Sequence, residues 1–110
     1  MARSHTELLP GTLDMLVLQT IASGPKHGYA IAKHIRGVSR DVLEVEQGSL
    51  YPALFRMERK RWIKSKWGTS DTGRRVKLYS LTGSGRQQLQ RQETAWTTLV
   101  QAIQRVMSGG

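Results

Sequence analysis

Apolar residues recur at helical spacing in three successive stretches of the N-terminal half of the chain. The first predicts a helix up to Ala22, with Thr12 as its N-cap. The second predicts a helix from His27 to Arg36 that stops at Gly37. The third lies in the segment QGSLYPALFRMERKRW, and its apolar stripe consists of Leu50, Leu54 and Met57. The pattern therefore predicts three successive helices, each with one face that can be buried.

The third of these helices has a polar face opposite its apolar stripe. Pro52 has no N–H, which is harmless only in the first helical turn, so the helix is predicted to begin near Gly48 or Ser49. Such a start directs free backbone N–H groups outward together with the side chain of Gln47. Arginine side chains continue the same face further along the helix. This face is suited to an anionic ligand or to a DNA groove.

The spacing changes from helical to extended after Trp62. The segments 63–67 and 75–81 are β-prone, and the residues between them, GTSDTG, are typical of a hairpin turn. The connector 38–45 could add one brief strand through its apolar residues, which are Val42, Leu43 and Val45. The sequence therefore predicts one small β-hairpin in a mainly helical chain.

A final helix is predicted from Ser84 to Met107, and at 1.5 Å per residue it is about 36 Å long. Its apolar residues follow a seven-residue spacing that suits packing between two helices. This seam consists of Leu89, Trp96, Leu99, Val100, Ile103 and Val106. Packing within one chain would also explain it, but the protruding length favours a dimer.

Composition restricts the class of protein. The 110 residues suit one domain, and the 38% of hydrophobic residues is low enough that a partner chain could complete the apolar surface. Cysteine is absent, which excludes disulfides, thiolate catalysis and cysteine-based zinc sites. Neither a membrane span of about 18 apolar residues nor a signal peptide is found, so we expect a cytoplasmic protein.

The net charge of +9 is concentrated in one part of the chain. Between Leu54 and Lys77 lie nine cations, which Glu58 and Asp71 alone oppose, so this segment carries +7 (9 − 2). Clustering of this kind indicates a polyanionic partner, nucleic acid first and a membrane surface second. A basic face that serves only solubility is the alternative.

Other chemistries have little support in the sequence. His27 and His34 are seven residues apart but have neither cysteine nor a carboxylate pair nearby, so we expect no metal site. The segment TGSGR lacks the spacing and the Lys-Ser/Thr ending of a phosphate-binding loop. The eight acidic residues are scattered, and no nucleophile–base arrangement is present. We therefore expect no enzyme and no cofactor.

The order of three helices, a basic hairpin and a long helix predicts a winged helix-turn-helix with a C-terminal dimerisation helix. We expect residues 1–81 to bind DNA and residues 82–110 to form the dimerisation helix, within one compact unit. A winged helix that binds mainly protein is the alternative. The concentration of cations on the third helix and the hairpin favours DNA.

Four segments resemble the PadR family of bacterial transcriptional regulators, in its short type with a single C-terminal helix. These segments are GTLDMLVL, HGYAIA, QGSLYPALFRMERKRWI and RRVKLYSLTGSGRQQL. The resemblance implies a homodimeric repressor that binds an inverted-repeat operator. It also implies that the C-terminal helix packs against its mate and against the partner's N-terminal helix, which fits the otherwise unassigned Leu8 and Leu9.

Gln47 is suited to pair with adenine and Ser49 to reach a phosphate or a base edge. Arg56 and Arg59 are suited to neutralise phosphates or to read guanine, and the other basic side chains to contact phosphates. The resemblance implies that Tyr51 lies close to the DNA backbone. The residues predicted to contact DNA are Lys33, Gln47, Gly48, Ser49, Tyr51, Pro52, Arg56, Arg59, Arg74, Arg75 and Lys77.

Trp96 has two interpretations. It is either a packing residue in the dimer seam or a platform for a flat aromatic effector, because some PadR members respond to such compounds. Trp62 is expected to close the third helix against the hairpin, and Trp67 is left without a role. The operator, the regulated genes, the effector and the choice between repressor and activator are not encoded in any recognisable pattern.

Overall fold

The computed structural model describes residues 10–109 and contains four helices and one antiparallel hairpin within them. Its elements are α1 (Pro10–Ala22), α2 (Gly28–Val38), α3 (Gln47–Arg59), β1 (Ile63–Thr69), β2 (Arg75–Leu81) and α4 (Gly83–Met107). The predicted fold class is confirmed: the chain is mainly helical, with a small hairpin and a long C-terminal helix.

The core forms where α1 packs against the other three helices and against the hairpin. Leu18, Ile31 and Leu54 are completely buried, one from each of the first three helices. Met57 from the predicted stripe of α3 is also buried. Trp62 is half-buried and packs against this core, so it covers the core's edge without lying inside it.

Two helices begin earlier than predicted. α1 starts at Pro10, so Thr12 lies inside it and is not its N-cap. α3 starts at Gln47, which places Pro52 in the second turn, where the backbone loses one helical hydrogen bond instead of none. The expectation of a later start rests on Pro52 alone. Burial of the apolar stripe of α3 stabilises the longer helix by more than the one lost hydrogen bond costs.

α2 and the connector after it also differ from the prediction. α2 continues through Gly37 and ends at Val38. The connector that follows contributes neither of the two strands of residues 10–109, and of the predicted brief strand only Leu43 forms an isolated β-bridge. Arg40 and Asp41 have φ values of 55° and 64°, and this left-handed pair reverses the chain instead of extending it. Leu43 packs against the core.

The hairpin is longer than predicted at its first strand. β1 continues to Thr69, which pairs with Arg75, while Ile63 pairs with Leu81 at the other end. Beyond the strands, the Ser70 N–H donates to the Arg74 carbonyl over 2.8 Å and closes the tip. The hairpin is therefore a regularly paired ribbon that lies beside α3.

A second contact fixes the base of this ribbon. The Lys26 N–H donates to the Tyr79 carbonyl over 3.1 Å, and the Tyr79 N–H donates to the Lys26 carbonyl over 2.9 Å. Lys26 lies just before α2, so these two bonds join the start of α2 to the middle of β2. The hairpin and α2 are thereby held in a defined relative position.

α4 begins at the foot of the hairpin and extends away from the core. Thr82 is its N-cap and accepts a hydrogen bond from the Gly85 N–H over 3.0 Å. Leu89 packs against the core, but the C-terminal half of α4 leaves large apolar side chains exposed. The exposed ones are Trp96, Leu99, Ile103, Val106 and Met107. The radius of gyration of 15.4 Å exceeds the roughly 13 Å of a compact chain of this length, in keeping with the projecting helix.

The predicted dimer contacts Leu8 and Leu9 lie outside the described residues, whereas Val100 is half-buried on α4. Residues 10–109 include no helix with both the length and the apolar character needed to cross a membrane.

Candidate nucleic-acid interface

An open cleft of about 790 Å³ lies between the starts of α2 and α3 and the hairpin. Six of the eleven residues predicted to contact DNA line this cleft. They are Lys33, Gln47, Tyr51, Arg74, Arg75 and Lys77. Asp71 is the one acidic residue in the lining that the structure describes. The cleft is therefore a concave surface with a strong excess of positive charge.

The α2 side of the cleft depends on His27 and Gly28. His27 is the N-cap of α2, and its Nδ1 accepts a hydrogen bond from the Ala30 N–H over 3.2 Å, as its predicted place at the helix start requires. A Cβ at Gly28 would lie 2.7 Å from the Tyr51 Oη. Glycine is thus needed for the Tyr51 ring to lie against α2. Within the HGYAIA segment this contact explains Gly28, and burial in the core explains Ile31.

The start of α3 exposes its polar groups. Glu46 is the N-cap of α3, and its side chain makes no capping hydrogen bond. Gln47, Gly48, Ser49 and Pro52 are all exposed, and among them Gln47 lines the cleft. The other three continue the exposed surface of α3 beside the cleft, where the groove of a duplex could follow the helix.

Arg56 lies on a different side of α3 from the cleft. Its Nη2 donates a hydrogen bond to the Asp14 Oδ1, which forms an ion pair between α3 and α1. The Asp14 side chain is 9% exposed and the Arg56 side chain 40%. The Arg56 guanidinium is therefore paired with a carboxylate of the same chain, and we leave Arg56 out of the proposed DNA contacts.

Burial sets the protonation behaviour of Asp14. Loss of solvent raises the pKa of its carboxyl above the ordinary value of 3.8, while the charge and the hydrogen bond of Arg56, and the charge of Lys60, oppose this rise. The proton is held more tightly in the folded state than in the unfolded state.

Asp14 is therefore expected to make the protein less stable as the pH rises. Its contribution is complete below 3.8 and is lost as the pH rises through the folded pKa, because the folded state binds more protons within that window. Asp14→Asn removes this titration. The unfolding free energy of the wild type minus that of Asp14→Asn, from urea titrations, should be larger near pH 3 than near pH 7. An equal difference at both values would contradict the assignment.

The hairpin side of the cleft combines cations with an exposed indole. Trp67 on β1 is 57% exposed, and the Arg75 guanidinium carbon lies 4.5 Å from the centre of its ring. Arg74 and Lys77 flank Arg75 and are exposed as well. Both Trp67 and Arg75 line the cleft. The sequence left Trp67 without a role because its cross-strand neighbours depend on the register of the hairpin.

Two further exposed aromatic side chains, one in the cleft and one on α3 outside its lining, do not follow from the sequence pattern. Tyr29 on α2 is 62% exposed and stacks with the His27 ring at a centroid distance of 6.4 Å. Phe55 on α3 is 64% exposed, and the Arg59 guanidinium carbon lies 5.8 Å from its ring centre. The only sequence signal for these two side chains is their position. Each is an aromatic residue on a face of α2 or α3 where the helical pattern predicts polar residues.

The three helices, the basic hairpin and the cleft define a winged helix-turn-helix protein. The family model of the PadR-like transcriptional regulators matches residues 17–91. The chain therefore belongs to the PadR-like family of transcriptional regulators, and the resemblance found in the sequence is confirmed. Members of this family regulate transcription by binding DNA and are not enzymes.

Similar proteins cover almost the whole chain. An uncharacterised protein of Lysinibacillus sphaericus is 27% identical over 105 residues, or 96% of each chain. The crystal structure of a PadR-like transcriptional regulator from Bacillus cereus is 25% identical and has a TM-score of 0.81, with 96% of this chain and 100% of that chain covered. A PadR family transcription regulator from Clostridium difficile is 31% identical, with a TM-score of 0.75 and coverage of 86% and 97%.

Proposed function

We propose that the protein is a homodimeric repressor that binds an inverted-repeat operator through the cleft and the exposed face of α3. The observation that carries this proposal is the convergence of four cations and Gln47, from α2, α3 and the hairpin, on one concave surface. A winged helix that bound only protein would have no need for this convergence. We place the protein in the cytoplasm, where its DNA would be.

In this proposal the cations and the helix have different tasks. Lys33, Arg74, Arg75 and Lys77 neutralise phosphates and fix the register of the duplex without reading its sequence. Gln47 at the start of α3 can donate to and accept from an adenine edge in the major groove. Repression follows if the bound dimer occupies a promoter.

Gln47→Ala is expected to weaken operator binding more than binding to scrambled DNA. Loss of a bidentate contact to a base costs about 1–3 kcal/mol of discrimination, which is roughly a tenfold to hundredfold loss of affinity for the operator alone. Gel-shift titration of both duplexes, after selection of the operator from genomic fragments, measures this. An equal loss on both DNAs would remove Gln47 from the base-reading residues.

Arg75→Ala is expected to weaken binding to both sequences alike, since a phosphate contact carries no sequence information. Each lost phosphate contact should reduce the slope of log K against log salt by about 0.9. Arg91→Ala, on α4 outside the cleft, is the matched control and should leave the slope unchanged. A slope that Arg75→Ala does not change would exclude this contact.

The homodimer is supported by the exposed apolar face of α4. Trp96, Leu99 and Ile103 are each about half exposed, at 45%, 51% and 49%. A contiguous face of this kind on one projecting helix marks an association surface. A two-fold dimer would place two α3 helices on one side of the duplex, about one helical turn apart. We propose residues 82–110 as the dimerisation segment on this ground, with residues 1–81 as the DNA-binding part.

Relief of repression by a small aromatic effector is the most specific part of the proposal. Trp96 supports it, because its indole is 45% exposed on the same face and could stack with a planar ring. Fluorescence quenching of Trp96 by planar aromatics, in a variant with Trp62 and Trp67 replaced by phenylalanine, is the direct test. Absence of quenching would leave Trp96 a packing residue only.

A further inference from the structure

Trp67 is an exposed tryptophan without a packing role in the monomer. It lies on β1, is 57% exposed and is not part of the hydrophobic core or of the residues packed against it. A large apolar ring in this position gains little from burial. Its presence on a basic hairpin calls for a physical reason other than the stability of the core.

The register of the hairpin supplies that reason. Trp67 pairs directly with Lys77, and Arg75 lies two residues before Lys77 in β2, so Arg75 is the diagonal neighbour on the same face of the ribbon. The guanidinium carbon of Arg75 lies 4.5 Å from the indole centre. A planar cation over an indole face is attracted by the negative charge of the ring.

This contact restricts an otherwise mobile side chain. Arginine loses rotamer entropy when it binds a phosphate, and a guanidinium already held on a ring has less of that entropy to lose. We propose that Trp67 is a positioning residue that holds the Arg75 guanidinium at the cleft in the orientation in which it meets a DNA phosphate. The proposal rests on the proposed DNA-binding function, but it assigns no contact between Trp67 and DNA.

The protein contains an internal comparison for this arrangement. The Lys60 Nζ lies 4.7 Å from the ring centre of Trp62, but neither residue lines the cleft, and Trp62 packs against the core. The same kind of cation–ring contact thus occurs at the base of the hairpin without access to the proposed DNA surface. Trp62→Phe is therefore a control for general effects of changing a tryptophan in this region.

The decisive experiment is a double-mutant cycle between Trp67 and Arg75, measured as DNA affinity across a range of salt concentrations. Trp67→Leu should produce at least half of the loss in affinity caused by Arg75→Ala and should reduce the salt slope in the same direction. In the Arg75→Ala background, Trp67→Leu should have no further effect. Trp67→Phe keeps an aromatic face and should bind almost as well as the wild type, and Trp62→Phe should leave the slope unchanged.

Additive losses in the cycle would overturn the proposal and would indicate that the Trp67 ring contacts DNA itself. An unchanged slope in Trp67→Leu would overturn it as well. If that variant does not fold by circular dichroism, Trp67→Thr provides the test, because a β-branched residue suits the strand and has no aromatic ring. Its slope should then fall towards that of Arg75→Ala, and a wild-type slope would overturn the proposal.

A measurement without DNA separates this proposal from the proposed function. In a background with Trp62→Phe and Trp96→Phe, acrylamide should quench Trp67 fluorescence more strongly after Arg75→Ala, because the guanidinium no longer covers one ring face. Equal quenching would show that the contact is not populated and would overturn the proposal. Failure of the wild type to bind any DNA, with the quenching difference present, would instead overturn the proposed function.

Discussion

Replacing Gly85 with alanine is expected to destabilise the protein by about 3 kcal/mol, at the upper end of the cost of overpacking a well-packed site. A Cβ at this position would lie 1.9 Å from the Trp62 carbonyl oxygen and 3.1 Å from the Leu81 Cδ2. The first of these neighbours is backbone and cannot rotate away. The start of α4 would have to move off the turn between α3 and β1.

That movement would also break hydrogen bonds made by Thr82. Its Oγ1 lies 2.6 Å from the Arg61 carbonyl oxygen and 3.0 Å from the Trp62 carbonyl oxygen, and it accepts from the Gly85 N–H. The clash and the loss of this cap act at the same place. Thermal unfolding followed by circular dichroism should show a midpoint lower by about 10–20 °C for a chain of this size.

Gly83 provides the matched control for this prediction. It is the first residue of the same helix, and a Cβ there would meet nothing within 4 Å. Gly83→Ala should therefore be neutral or stabilising by up to about 1 kcal/mol, since alanine restricts the unfolded chain more than glycine does. Equal midpoints for the two variants would show that close approach is not the reason for Gly85.

Leu99→Glu is expected to abolish the dimer and, with it, most of the operator affinity. The residue is 51% exposed on the apolar face of α4, and two carboxylates facing each other across a two-fold seam would repel. Loss of the second half-site contact should reduce operator affinity by about 10²–10⁴-fold. Sedimentation over a range of protein concentrations, with gel shifts on the same samples, measures both effects.

Gln101→Glu makes the same charge change on the opposite side of α4 and is the control. This residue is exposed and lies outside the apolar seam. Gln101→Glu should leave both the mass of the dimer in sedimentation and the operator affinity unchanged. A Leu99→Glu variant that remains dimeric would place the interface elsewhere, and a monomeric variant with full operator affinity would contradict the two-fold mode of binding.

The fold followed closely from the spacing of apolar residues because that spacing reports burial directly. The α3 stripe of Leu50, Leu54 and Met57 is buried as predicted, and α4 begins within one residue of its predicted start. The errors lie where one local rule competes with packing. Pro52 alone does not fix the start of α3, and the apolar connector residues form no strand beyond the single bridge residue Leu43.

The candidate site was less predictable, because it depends on which residues meet across different elements. A helical pattern places Arg56 on a polar face, but it cannot show that Asp14, 42 residues earlier, lies against it. In the same way, alternation along β2 exposes Arg75, but only the register places it over Trp67. Charge and residue type identified the surface, and tertiary contacts decided which of its side chains are free to bind.

The two hydrogen bonds between Lys26 and Tyr79 have a mechanical consequence for the hairpin. They hold β2 at Tyr79 to the segment before α2, so the hairpin can bend only between Tyr79 and its tip. Lys77 lies two positions from Tyr79, whereas Arg74 lies at the tip. We therefore expect the inner cation to keep a fixed distance from α2, while the outer one follows differences in groove width from one operator to another.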